Sequence, residues 1–329
     1  MKKLLLASAV AALSVSAANA APTVYGKVFL SLDAYDSDFR SEDVKLNSTA
    51  SRIGLKGSEA LTANTDVIYQ LEYVVNPDDE DGDQFESRDT YIGFANNTVG
   101  TFKFGRNSSI TDGINNVQQA FGGIQGTVSG IADGDRVDNS MIWTAPTANL
   151  PVEFNLMAST EENYDGKEAG YGASVMFDQG TGYTLAVAYT DKMEGGGPGT
   201  SFDRSAEVLR GTATYDMAKT MGTPLKLGVM YQQAEWNDAP AGFGDKEKEL
   251  MVTAAYDLVN TPWTLWAEFD QAKDVAGVNN SDVTKIAVGG RYAFTEAATG
   301  HLYAGNSKFE GPVRDGDEFM VGTGIEYKF

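Results

Sequence analysis

Apolar and polar positions alternate with a period of two along nearly the whole chain. "GYTLAVAYTD" sets Tyr183, Leu185, Val187 and Tyr189 against Thr184, Ala186, Ala188 and Thr190. "ELMVTAAYDL" sets Leu250, Val252, Ala254 and Tyr256 against Met251, Thr253, Ala255 and Asp257, and "KIAVGGRYAF" continues the pattern. A helical period fits none of these stretches; each predicts a strand with one apolar face and one small or polar face. Sixteen such strands are read, from one centred near Val28 to one near Thr323. Their connectors alternate between eight long acidic or glycine-rich loops and seven short turns. Long loops at one end and short turns at the other predict an all-β fold, a 16-stranded antiparallel transmembrane β-barrel. A closed sheet satisfies every backbone polar group inside a bilayer and leaves no edge. Sixteen strands enclose a wet lumen, so the polar face needs no burial partner. A soluble sandwich is the competing reading, and aromatic outer faces argue against it.

The ends fit this picture. Residues 1–20 carry Lys2 and Lys3, an apolar run and Ala18-Asn19-Ala20, the layout of a cleaved signal peptide, so residues 21–329 are expected to form the barrel. The chain closes on "GTGIEYKF", still alternating at Phe329; this predicts a last strand zipped against the first, with Ile325, Tyr327 and Phe329 facing lipid. The sequence contains no cysteine. Removing the two signal lysines from 25 basic residues leaves 23 against 46 acidic, a net charge near −23. Nucleic acid needs a basic face, so it is excluded as a partner.

Catalytic readings fail on the residues. A Ser-His pair needs a histidine, and His301, the single one, has no serine beside it. "NPDDEDGDQFES" fails as a calcium loop because Pro77 and Arg88 fall where Asp and Glu are required. Weak divalent binding by Asp78, Asp79, Glu80, Asp81 and Asp83, bridging to lipopolysaccharide phosphates, stands beside the plain reading of a solvated loop. "GGGPG" lacks the lysine of a phosphate loop. No catalytic residue, cofactor or metal is therefore assigned. Trp143, Trp236, Trp263 and Trp266 are expected in the aromatic girdles, although Trp266 shares parity with Glu268 and has a lumenal alternative.

The chain resembles the Gram-negative general porins, trimeric sixteen-stranded diffusion channels. "VYGK", "ASRIGLKGSE", "YQLEY", "SRDTYIGFAN", "GTFKFGRNSS", "DRVDNSMIWTAP" and the terminal "GIEYKF" carry the resemblance, which is most specific in the N-terminal third. It implies that the third long loop, residues 107–135, folds into the lumen as a constriction, where Asp112, Phe121, Gly122, Gly123, Gln125, Asp133 and Asp135 would line or anchor it. A mobile external lid is the alternative. The resemblance also implies a basic ladder on the opposite wall at Lys27, Arg52, Arg88 and Arg136. Parity turns Lys27 and Arg52 inward; Arg88 shares parity with Ile92 and Phe94 and is assigned inward because lipid-facing charge costs about 2–4 kcal/mol at the midplane. Glu72 is expected to pair with the ladder as the lumenal acid. Arg106, on the parity of Phe102 and Phe104, faces out and by resemblance meets a neighbouring subunit of a homotrimer. Tyr327 and Phe329 match the signal read by the barrel-insertion machinery. The family loop presents acids just after its "FGG"; here Ile124 and Gln125 follow, which weakens any transverse field.

The resulting expectation is a porin in the outer membrane, in contact with its lipid and lipopolysaccharide, passing small hydrophilic solutes and ions with a modest cation preference from the acidic mouth. The alternatives are a substrate-specific porin for a sugar, phosphate or dicarboxylate, hinted at by Tyr25 and Phe29, and a structural or adhesive barrel.

Overall fold

The computed structural model describes residues 21–41, 43–78, 85–120, 122–124, 131–133, 136–146, 151–160, 168–178, 180–195, 205–237, 244–312 and 314–329. The signal segment 1–20 lies outside them, as do Phe121, Gln125 and Asp135.

Seventeen strand segments form one sheet: β1 Thr23–Ser37, β2 Val44–Ser48, β3 Arg52–Thr62, β4 Thr65–Val74, β5 Ser87–Asn96, β6 Gly100–Ser108, β7 Arg136–Thr144, β8 Val152–Ser159, β9 Tyr171–Asp178, β10 Tyr183–Gly195, β11 Ser205–Asp216, β12 Leu225–Trp236, β13 Lys246–Asp257, β14 Trp263–Lys273, β15 Asp282–Ala293, β16 Ala298–Glu310 and β17 Gly316–Lys328. Every ladder is antiparallel, and β17 pairs with β1 to close the ring. β2 and β3 are one barrel strand in two pieces, so the wall has the sixteen positions expected. β1 pairs with β2 above Leu30 and with β3 below Lys27. One extra residue on the second strand makes a bulge there, with Ala50 at φ 50°. The Ser51 hydroxyl accepts from Phe29 N–H at 2.9 Å, and Thr49 N–H donates to Phe29 O at 2.9 Å, so the backbone stays satisfied through the break.

The outer face is apolar and open. Leu185, Val187, Leu209, Ile286, Val288 and Ile325 each expose about half of their surface or more. Inward positions of the same strands, such as Ala188, Arg210 and Ala287, are buried. Apolar residues outward and polar residues inward is the inverse of a soluble core, as a lipid solvent requires. Aromatic rings gather at the short-turn end: Trp143 with Phe102 and Phe154, Trp263 with Tyr292, and Tyr292 with Phe294. Trp236 is a correction to the girdle expectation. It shares the inward parity of Gln232 and Ala234, is 3% exposed, and donates its indole N–H to Glu247. Trp266 takes its lumenal alternative, buried at 5% exposure.

The terminal strand pairs to its last residue. Phe329 and Gly26 exchange both backbone hydrogen bonds, at 2.9 and 3.1 Å, and the phenyl ring lies where a Cβ on Gly26 would sit. At the opposite, long-loop end the seam between first and last strands is clamped. Arg40 meets Glu318 at 2.7 Å, and the Arg314 guanidinium sits 4.0 Å from the Phe39 ring and 3.6 Å from that of Phe309.

Candidate functional site

The connector after β6 enters the barrel and lies along the inner wall. Its apolar residues recur every three or four positions and each drops into a wall cluster. Ile110 meets Val137 and Met157; Ile114 meets Ala186 and Ala188; Val117 meets Met230 and Met251. Ala120 and Ile124 join Trp266, Ala287, Tyr303 and Met320, and Ile131 and Ala132 join Trp236 and Val275. The loop thus spirals from β7 round to β17. Asp112, Asn115, Asn116 and Gln118, between these anchors, are only half-buried, and Gly113 and Gly123 are exposed.

Wall side chains satisfy the backbone that the loop brings indoors, as buried peptide groups demand. Glu268 accepts from Gln119 N–H at 2.8 Å and Ala120 N–H at 3.0 Å. The Thr253 hydroxyl donates to Val117 O at 2.7 Å, and that of Thr212 to Ile114 O at 3.0 Å. Tyr303 accepts from Gly123 N–H at 3.0 Å and donates to Asp33 at 2.5 Å. On the return arm, Ala132 donates to Glu247 at 2.8 Å and accepts from Gln232 at 2.7 Å. Arg210, fully buried, reaches Gln232, Asp133 and Thr111 O. Sequence reasoning missed Glu268, Thr253, Tyr303, Glu247 and Arg210. The available signal was their lumenal parity combined with more polar bulk than an open wall needs.

Gly122 packs on the Tyr303 ring at φ 82°, where any side chain is both strained and obstructed. Gly123 lies against Asp33. Asp112 sits at the start of the loop in a single 3-10 turn, half-buried. Asp133 ends in the ion pair with Arg210 at 2.8 Å.

The ladder positions lie on the remaining wall, β1 to β7, and each meets an acid. Lys27 is 3.5 Å from Glu326, Arg52 is 3.5 Å from Glu72, Arg88 is 2.7 Å from Glu72, and Arg136 is 3.4 Å from Asp89. The Tyr25 hydroxyl also donates to Glu72, at 2.9 Å, leaving that carboxylate held from three sides. The parity conflict at Arg88 has a structural cause. Leu71 pairs with Thr90 but Tyr73 pairs with Ser87, so Arg88 and Asp89 together oppose Glu72. This bulge re-aims Arg88 toward Glu72 although Ile92 and Phe94 face out. Tyr25 is thus tied to Glu72, and Phe29 is fully buried against the His301 ring, with centroids 4.6 Å apart. Neither offers a free aromatic face of the kind a sugar track requires.

Arg106 lies between Gly105 and Asn107, whose partners Ser140 and Val137 are inward, so it is on the outer face. There it forms an ion pair with Asp138, both partly exposed, and among the described residues its Nε has no hydrogen-bond partner.

Comparisons with known proteins converge. The family profile described as Gram-negative porin matches residues 7–312. The chain is 26% identical to outer membrane porin PhoE of Klebsiella pneumoniae over 371 residues, and 24% identical to outer membrane protein F of Serratia marcescens over 382 residues, covering all of both chains in each case. The fold is shared with the anion-selective porin from Comamonas acidovorans at TM-score 0.76 and 18% identity, covering 94% of this chain and 99% of that one. It is also shared with the trimer form of OmpT from Vibrio cholerae at TM-score 0.71 and 16% identity, with coverage of 94% and 99%. A closed sixteen-position barrel, an inward loop and a profile match along most of the chain place this protein among the Gram-negative porins of the outer membrane.

Proposed function

We propose that the protein is a trimeric general diffusion channel for small hydrophilic solutes, filtered by size at the inward loop and only weakly by charge at the ladder. The single observation that carries this reading is the way loop and wall are joined. An inner wall that supplies hydrogen bonds from β11, β12, β13, β14 and β16 to one loop holds a fixed narrowing instead of a mobile lid. The narrowing faces cations already matched by acids, so no strong transverse field forms. A modest cation preference then comes from the acidic loops at the mouth, acting over about 8–10 Å at physiological salt. A substrate-specific pore is less favoured because Tyr25 and Phe29 are engaged elsewhere.

The outer-face pair Arg106–Asp138 supports assembly. Charge facing lipid is costly, and a subunit covering this patch would remove the cost. In planar bilayers, current is expected to rise in steps of three. Arg106→Ala is expected to lower the temperature at which trimers dissociate on unheated gels while leaving single-barrel conductance in place. Channels that always open singly, or an Arg106→Ala trimer of unchanged heat resistance, would reject the trimer or its interface respectively. Outer-membrane lipid, lipopolysaccharide and the barrel-insertion machinery are the remaining proposed partners, the last through Tyr327 and Phe329.

Glu72 is the acid on which ladder charge balance turns. Glu72→Gln leaves Arg52 and Arg88 without a counter-charge in a half-wet site. The reversal potential in asymmetric KCl is expected to move toward chloride, with a change in permeability ratio of about threefold, the scale of one partly screened charge. An unmoved reversal potential would show that the ladder lies off the ion path.

A further inference from the structure

The four ladder cations are met by three acids, yet two lumenal lysines on the short-turn side of the same wall are not. Lys56 of β3 lies four residues closer to the short-turn end than Arg52, about 13 Å at the usual rise of a strand. Lys103 of β6 pairs with Gly93 and lies on the same inward face. Among the described residues neither has a carboxylate within ion-pair distance. Nearby lumenal acids are engaged: Glu72 with Arg52 and Arg88, Asp66 with the Ser58 hydroxyl at 3.2 Å, and Glu153 with the Asn155 amide at 2.9 Å. The short turn 147–150, which lies outside the described residues, contains no charged residue. Three other inward cations differ: Arg291 donates to Gln119 of the loop at 2.8 Å, Lys226 has Asp216 directly across the β11–β12 ladder, and Lys45 stands opposite Asp33 on the long-loop side.

Each of these two ammonium groups is steadied by a tyrosine face. Lys56 Nζ is 5.0 Å from the centre of the Tyr25 ring, and Lys103 Nζ is 4.9 Å from that of Tyr91. A cation–π contact fixes the position of a lysine without consuming its charge as a carboxylate would. The Tyr25 hydroxyl is already given to Glu72, and that of Tyr91 reaches Gln70 at 3.5 Å. The rings are therefore oriented by other bonds, and the lysine N–H groups remain available to the lumen. Screening at physiological salt acts over about 8 Å, so a solute passing this wall responds to these local charges more than to acids at the distant mouth.

We propose that Lys56 and Lys103 form an anion-attracting strip on the short-turn side of the constriction, and that small oxyanions such as phosphate or carboxylates are its ligands. The strip rests on the pore reading given above. It separates the charge that a solute meets from the ladder, where charge is largely cancelled. It also gives this part of the wall a positive sign, opposite to that of the acidic long-loop mouth.

The test uses the full-length protein in planar bilayers with inorganic phosphate as the probe, added to the short-turn side. Lys56→Met with Lys103→Met is expected to raise the half-blocking phosphate concentration about tenfold, the combined loss of two exposed charge contacts, and to shift the reversal potential toward potassium. Lys56→Arg with Lys103→Arg keeps the charge and is expected to restore both. Both side chains stand in open lumen, and the single methionine variants give the same readout in smaller steps. Phosphate block that ignores the methionine pair, or that the arginine pair fails to restore, overturns the strip. Absence of any current through the unaltered protein removes the pore itself, which is a different failure.

Discussion

Replacing residues 109–135 by a two-residue Asn-Gly turn yields a wider and more cation-selective channel. The excision is local because Ser108 pairs with Arg136, so β6 and β7 already form the hairpin that a short turn closes. Conductance is expected to rise on the order of twofold or more, since the loop fills part of a lumen that sixteen strands leave open. The change in selectivity follows from what the loop now covers. Glu247, Glu249, Glu268 and Asp270 are at most 2% exposed behind it, with Arg210 and Lys285 as the cations in the same patch. Lys285 lies 3.2 Å from Glu268 and 3.7 Å from Asp270. Once the loop is removed, this wall becomes wet and carries an excess of ionised acids, and potassium is favoured at neutral pH. The apolar anchors at Met230, Met251 and Trp266 are uncovered too, so some stability is lost, but the sheet hydrogen bonds remain. Conductance and reversal potential measured on one preparation check both halves of the expectation. A conductance equal to that of the intact protein would mean that the loop does not limit flow, and the constriction reading would fall with it.

The contrast between legible and hidden features follows from what repeats. Strand parity is a property of every residue pair, so the outward faces around Leu185, Leu250 and Ile325 could be read directly, and the zipped end at Phe329 with them. Bulges break that parity with a single inserted residue and leave no compositional trace. Arg88 looked ambiguous for this reason, and the second strand appeared whole although Ala50 divides it. Trp236 was misplaced because an indole suits both an interfacial belt and a buried donor site; its partner, Glu247, is a cross-strand neighbour that spacing along the chain does not show. Loop anchoring was hidden more deeply still. Glu268 reaches Gln119 across 149 positions and Tyr303 reaches Gly123 across 180. Such contacts depend on the circumference of the closed barrel. The resemblance placed cations at Lys27, Arg52, Arg88 and Arg136, yet their acids Glu326 and Asp89 emerge once β17 lies beside β1 and β5 beside β6 and β7.

The same long-range anchoring makes Arg210 the wall residue whose loss is expected to cost most. Its guanidinium is fully buried and holds three groups at once: Gln232 at 2.7 Å, Asp133 at 2.8 Å and Thr111 O at 3.4 Å. Thr111 begins the inward run of the loop and Asp133 ends it, so one side chain ties both arms. Its charge also acts on Glu249, a fully buried carboxyl group beside Asp270. Arg210→Met keeps much of the volume and removes the charge. Breaking a buried pair from one side costs about 3–5 kcal/mol; Asp133 is about one-third exposed and water takes over part of its demand, so the lower end, about 3 kcal/mol, applies. The urea midpoint in lipid vesicles is expected to fall accordingly, and open-channel current to become noisier as both loop arms loosen. Asp133→Asn alone is expected to be mild. Combined with Arg210→Met it should cost less than the two separate losses together, because residues in direct contact couple by about 0.5–3 kcal/mol. Strict additivity in that double-mutant cycle, with quiet channels in every variant, would show that the loop is held by its apolar anchors alone and that Arg210 serves the barrel wall instead.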